Sequence, residues 1–501
     1  MSALALVLLL ATPPDTLVVG NLADPVSLEP YRATDLVSAA VVSSVCETLV
    51  RWKSDGSRPE AALATTWATL DNRSWTFTLR EGVRFHDGAP LDADAVVDNF
   101  EHLRRHGLFH GVAERVGPRI VAFTLERPSA ALLATLSQPS FSLQSPAALR
   151  RAAGPAVPVG TGPFRFAAAQ PGSIELVANA DYWGGRPRLQ RIVFRRLPSE
   201  DALTAALVAG DVDVTSAVSQ DRVEALRRVP GLSLDSSTGL DIAFLSVNNE
   251  RRPLDDVRVR QALARAIDRA ALVEEVLGGH GVPARNPLPP LLWGYDARSR
   301  DLTLDRAAAR RLLAQAGLPD GFETTLMATA SPRPYLPKPL RVAARLRDDL
   351  ARVGIRARIQ EVPSWAEYVG RGSRGDYDLA VLGWQADTVD PNDFLSALLA
   401  SESIGTTNRS RYRSPAMDSL LKRGRMSTHP GERLKIYHEA QAQFREDMPW
   451  VPLYHVSVFT AYRRTVRGLV TGTTGMPRYD RAWKAERESG SFRRPRQFPS
   501  E

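Results

Sequence analysis

Phe85-His86-Asp87-Gly88-Ala89-Pro90 stands between two unlike segments. Before it, Trp75-Thr76-Phe77-Thr78-Leu79-Arg80 alternates apolar and polar side chains with a period of two, the pattern of a half-buried strand. After it, Asp92 stands where a side-chain oxygen caps a helix over 93–101. The hexapeptide is therefore the joint between a strand and a capped helix. Asp-Gly supplies a tight turn, since glycine takes a positive φ without steric cost. His86 has two readings here, a local hydrogen bond within that turn or a catalytic group.

Working outward, the same grammar recurs. Toward the N-terminus, 17–21 alternates as a strand and 37–49 carries helical spacing. Toward the C-terminus come a strand at 192–196, a helix at 200–208 closed by Gly210, and a strand at 244–248. A helix over 256–276 follows, with Val259, Leu263, Ala266, Ile267 and Val273 on one face. The second half gives helices at 305–316, 340–353, 393–400 and 430–446, and strands at 323–328, 356–362 and 377–383. The fold class is α/β throughout, with proline-rich loops at 283–290 and 332–339 and no internal repeat.

Composition bounds the function. The chain has 501 residues, 44% of them hydrophobic and 24% charged, enough for several packed domains and unlike a disordered chain or a multi-span membrane protein. A single cysteine, Cys46, excludes an intrachain disulfide and thiolate-rich metal centres; its apolar neighbours mark it as core. The net charge of +8 is spread along the chain, with no basic run of five, so no nucleic-acid partner is expected. The apolar run 3–11, followed by Thr12-Pro13-Pro14, has the length of an export-signal core and is too short to span a bilayer. No cysteine follows it, so acylation has no site and a free exported protein is expected.

Few motifs carry chemistry. His102, His106 and His110 are spaced to line one helical stripe, where they could bind a divalent metal, but Gly107 interrupts it and three surface histidines is the plainer reading. Gly370-Arg371-Gly372-Ser373-Arg374-Gly375 spells a dinucleotide glycine pattern but precedes a strand instead of following one, and is expected to be a flexible turn. Ser419-Leu420-Leu421-Lys422 lacks the companion motifs of a serine acylase. No catalytic residue, metal ligand or cofactor is assigned.

The opening hexapeptide, followed by Asp94-Ala95-Val96, resembles the signature of the family 5 (cluster C) solute-binding proteins of ABC importers, the dipeptide, oligopeptide and nickel receptors. Val159-Gly160-Thr161-Gly162-Pro163-Phe164, Asn179-Ala180-Asp181-Tyr182-Trp183, 256–263 with 266–269, 375–384 and Asp390-Pro391 are similar to that family's landmarks, in order, across residues 17–460. The resemblance implies a periplasmic-binding-protein-like, bilobed (Venus-flytrap) fold with an additional small domain. Lobe I would comprise 17–50, 156–250 and 462–488, the inserted small domain 51–155, and lobe II 251–461. Residues 1–14 would be the signal peptide and 489–501 a tail.

It further implies a periplasmic or extracellular, non-enzymatic monomer that captures a short peptide, most closely a dipeptide, and delivers it to membrane permease subunits driven by separate ATPase chains. Asp387, three residues after Trp384, would receive the ligand's ammonium group. Arg333, in Arg333-Pro334-Tyr335-Leu336-Pro337, would bind its carboxylate with a bidentate fork. Trp384 would stack on the ligand or fill the strand end, and Tyr335 would be a further contact. Backbone amides at Gly160, Thr161 and Gly162 would wall the cleft or form a crossover turn. A nickel chelate, haem, glutathione or sugar oligomer is the alternative ligand, and a sensory receptor the alternative role.

Overall fold

A computed structural model describes residues 15–151, 157–299, 303–386, 388–471 and 476–485. The expected signal peptide and C-terminal tail lie outside the described residues. Parallel strands Thr16–Asn21 and Arg191–Arg196 pair in register from Thr16↔Arg191 to Asn21↔Arg196. At the other end of the molecule Phe322–Thr329 and Ile355–Val362 pair in parallel, with the helix Pro339–Ala351 as their crossover. Between these ends runs one sheet of 12 strands among the described residues.

The strand Trp450–Arg463 explains how one sheet serves two lobes. Its first half pairs with Asp241–Val247 and its second half with Leu232–Thr238, so it passes from one hydrophobic core to the other near Val456 and Ser457. A second crossing lies beside it at Gly239 and Leu240, where the Gly239 amide donates to Val456 O at 2.8 Å. A side chain at position 239 would meet the Asp241 carboxylate at 2.6 Å, which reserves the crossing for glycine. The lobe II core includes Leu240 to Val247 and extends to Val456, whereas the lobe boundaries expected from the resemblance were 250/251 and 461/462.

The inserted domain has its own antiparallel sheet, ordered Ala64–Thr69, Ser74–Leu79, Ile120–Leu125 and Gly111–Gly117, with the helix Ala93–Arg105 packed on it. Phe77, Phe100 and Phe123 are buried at its centre. Asp92 caps the helix as expected, its Oδ1 accepting from Ala95 N at 2.9 Å. Gly88 takes φ +90° in the turn. Asn72 ties this domain to lobe II, its amide donating to Met426 O at 3.1 Å and Ser427 O at 2.9 Å at the end of the helix Pro415–Met426.

Two local expectations are corrected. Residues 370–375 are not a turn: they close the helix Trp365–Arg374, which Ser364 caps and Gly375 ends at φ +76°. Gly372 lets the Arg409 side chain pack close against this helix, where a Cβ would lie 2.8 Å from it. The single helix expected over 256–276 is two, Val257–Ala266 and Arg269–Leu277, because Ile267 is extended and Asp268 starts a new cap by accepting from Ala271 N at 3.0 Å. Among the described residues no helix is long and apolar enough to cross a membrane.

Candidate functional site: the cleft between the lobes

A cavity of about 250 Å³ opens between the lobes. Glu47, Arg51, Trp52 and Tyr182 face it from one side, and Leu240, Ala386, Thr388 and Val389 from the other. Arg478 and Asp480, paired at 2.9 Å, add a polar edge from the C-terminal segment. The cavity thus draws on segments that meet only because the sheet crosses between lobes, as interdomain ligand sites do.

The lobe I wall is built around Glu47, which directly follows Cys46, the C-cap residue of the helix Leu36–Val45. Its carboxylate accepts from Thr161 Oγ1 at 2.8 Å, Tyr182 OH at 2.8 Å and Trp183 Nε1 at 2.7 Å. Burial pushes its pKa up, against these three donors and the nearby Arg51. Cys46 is 1% exposed, and burial raises its thiol as well, in keeping with a core residue.

The glycine loop is fixed by structure. Gly162 N donates to Val45 O at 2.9 Å, and a Cβ at Gly160 would lie 2.3 Å from the same oxygen. The Thr161 hydroxyl donates to Glu47, and of the expected backbone donors the Gly162 amide is engaged by the helix end, as in the crossover-turn alternative. None of the three residues is among those lining the cavity.

His86 is also corrected, since its hydrogen bonds are not local. Its backbone N donates to Gly160 O at 2.8 Å and its Nε2 meets Gly162 O at 3.0 Å, so the hexapeptide docks the inserted domain on the glycine loop. Burial pushes the imidazole down to about 4, which keeps it neutral. His102 and His106 contact Tyr31 and each other as rings, with His110 beyond the Gly107 turn. Among the described residues no group of three or more His, Cys, Asp or Glu could hold a metal ion.

On lobe II, the segments singled out in the sequence come together in part. Arg333 and Leu336 close a tight turn through reciprocal backbone bonds of 3.0 and 2.9 Å. Tyr335 lies against Gly383, where a Cβ would meet its ring at 2.2 Å. That contact sets the Arg333 turn beside the end of the strand Leu379–Gln385, on which Trp384 is half-buried and paired with Ile242. The Arg333 guanidinium stacks 4.1 Å above the Trp365 ring, and its Nε is buried without a hydrogen-bond partner. Arg333, Tyr335 and Trp384 are not among the residues lining the cavity, though Ala386 and Thr388 are. Asp387 lies outside the described residues.

Sequence reasoning missed Glu47, Arg51, Tyr182 and the Arg478–Asp480 pair. The available signal was a lone acid inside the apolar run 41–50. A carboxylate in such a run needs donors from elsewhere in the chain.

Two lobes joined by paired crossing strands around a shared cavity are the architecture of a protein that closes on a solute by hinge motion. The chain belongs to the bacterial extracellular solute-binding proteins, family 5, whose middle region matches residues 58–406. It is 33% identical over 466 residues to heme-binding protein A of Haemophilus influenzae, covering 86% of this chain and 85% of that protein. It is 31% identical over 481 residues to di/tripeptide-binding protein 1 of Pseudomonas aeruginosa, covering 88% and 89%. The solved structure of HbpA2 from Haemophilus parasuis superposes with a TM-score of 0.89 at 28% identity, covering 94% of this chain and all of that one.

Proposed function

We propose that this protein is the exported, non-enzymatic solute-binding component of an ABC importer. It captures short peptides, dipeptides foremost, and hands them as a monomer to a permease pair driven by separate ATPase chains. The observation that carries the reading is the interlobe cavity walled by both lobes beside the two hinge crossings. A peptide held there meets groups from each lobe, so its binding favours the closed form by its differential contacts.

The two ends of a zwitterion supply the specificity. Asp387, between the cavity-lining Ala386 and Thr388, pairs with the ammonium group, since a buried cation without a partner costs several kcal/mol. Arg333, outside the cavity lining in this form, takes the carboxylate as the lobes close on the ligand, its guanidinium held by stacking on Trp365. The relation to di/tripeptide-binding protein 1 supports the same class of ligand.

A haem reading is favoured by the relation to heme-binding protein A. The described lining offers no histidine as an axial ligand, the Tyr182 hydroxyl is held by Glu47 and the Cys46 thiol is buried, which leaves the weaker thioether of Met476. The peptide reading therefore fits the cavity better. Thermal melting against a free dipeptide, a tripeptide, an amidated dipeptide, haem and nickel tests it, because a ligand of the folded state raises the melting temperature. The expected result is a shift with free dipeptides well above that with the amide. A shift with haem alone would overturn the peptide reading.

A further inference from the structure

We propose that Glu47 is a positioning residue for ligand binding: by holding Thr161, Tyr182 and Trp183 on one carboxylate, it fixes the lobe I wall that the ligand meets. The inference rests on reading the cavity as the ligand site. Its basis is the geometry of three donors brought from 114, 135 and 136 residues away in sequence onto two oxygens. Tyr182 itself lines the cavity. Its ring is wedged against Gly184, where a Cβ would approach it to 2.6 Å, so the Tyr182 hydroxyl bond to Glu47 fixes the end of a ring already confined on one side. Trp183 lies beneath the Arg80 guanidinium at 4.1 Å, which carries the same anchor to the inserted domain.

The chemistry requires an ionised acceptor. A carboxylate accepts only, and its lone pairs accommodate three donors; a protonated one presents an O–H, so a hydroxyl partner, Thr161 or Tyr182, must reverse from donor to acceptor and the three-donor arrangement is lost. An amide in its place does the same with its NH2 group. The charged and titratable groups around Glu47 are Arg51, which favours the anion, the buried Cys46 thiol and the Tyr182 phenol. Asp480, which faces Tyr182 and pairs with Arg478, opposes loss of the phenolic proton. Burial raises the Glu47 pKa, so its folded-state contribution to stability is present at low pH and is lost as pH rises through that value. Glu47→Gln keeps the volume of the side chain while disturbing the three-donor arrangement, so affinity, melting temperature and the Trp183 resonance read together separate positioning from a merely structural role.

The test is calorimetric binding of alanyl-phenylalanine to the wild type, Glu47→Gln and Tyr182→Phe from pH 8 to pH 4.5. The Trp183 indole N–H resonance is followed in parallel without ligand and assigned through Trp183→Phe. At pH 7.5, at a temperature where both proteins are fully folded, Glu47→Gln is expected to bind at least tenfold more weakly than the wild type, and Tyr182→Phe to lose less. The wild-type advantage shrinks as pH falls, and the Trp183 resonance shifts with it in the wild type but not in Glu47→Gln. A wild-type to Glu47→Gln affinity ratio that is near one or independent of pH overturns the proposal. If no dipeptide binds but the Trp183 resonance titrates in the wild type alone, the peptide reading fails and the positioning role is supported. A Trp183 resonance indifferent to both pH and the substitution overturns that role whatever binds.

Discussion

Two arginines of lobe II lie over tryptophan rings, Arg433 at 5.1 Å from Trp293 and Arg333 at 4.1 Å from Trp365, yet their surroundings differ in one respect. Arg433 is 7% exposed and donates to both oxygens of Asp390 at 2.7 and 2.9 Å, with Tyr437 as a further partner. Asp390 in turn caps the helix Pro391–Leu399 by accepting from Asn392 N at 2.9 Å. The two opposite charges are thus matched within the protein. Arg333, on a surface turn beside the cleft, has no carboxylate partner among the described residues, and its Nε is buried unpaired. Buried charge that is matched internally serves the fold, whereas charge held in place by an aromatic ring without a counter-ion is available to a ligand.

Breaking the matched pair gives the largest effect. Arg433→Leu strands the Asp390 carboxylate in the core and is expected to cost about 3–5 kcal/mol of stability. Urea unfolding measures that loss, and a change under about 1 kcal/mol would erase the contrast with Arg333. A third buried charge sharpens it. Asp241, 4% exposed at the lobe crossing, has one backbone donor, Val456 N at 2.9 Å, and burial pushes its pKa up to about 7.

A carboxyl whose folded-state pKa is raised stabilises below its unfolded value and loses that contribution as pH rises through about 7. Wild-type protein should therefore lose stability relative to Asp241→Asn between pH 5 and pH 8, by on the order of a few kcal/mol. The difference between the two proteins is the quantity to follow, because buried His455 and partly buried His86, both pushed down to about 4, lose stability in the opposite direction, as pH falls. Parallel melting curves across that range would show that Asp241 is not a strained buried acid.

Asp387→Asn is expected to weaken dipeptide binding at least tenfold, about 1.4 kcal/mol, with little change in stability. Unchanged affinity in calorimetry would remove Asp387 from the site. Arg333→Ala should be the mildest change to the fold, within about 1 kcal/mol for a half-buried cation–π contact. A larger loss would place Arg333 with Arg433 among the structural residues.

How much of this was legible follows from the range of each signal. Local signals read well: the Asp92 cap, the Gly210 stop at φ +93° and the alternation of 75–80 each determine structure within a few residues. The 370–375 stretch misled because glycine content was weighed above the Ser364 cap and the face packed on Arg409. The family resemblance singled out Arg333, Tyr335 and Trp384, and the Tyr335–Gly383 contact shows why the two segments are adjacent, though none of the three lines the cavity. Glu47 was legible only as a lone acid in an apolar run, because the donors that give it meaning lie more than a hundred residues away. Likewise, His86 looked like a turn residue until its partners at Gly160 and Gly162 were in place.

The contrast between a matched and an available arginine is tested most directly by calorimetric titration of wild type and Arg333→Ala with one dipeptide in free-acid and C-terminally amidated form. The free acid should bind wild type at least tenfold more tightly than the amide, and Arg333→Ala should bind the two nearly alike. Equal losses for both forms on removing Arg333 would contradict the account, since the arginine would then not be reading the ligand's carboxylate.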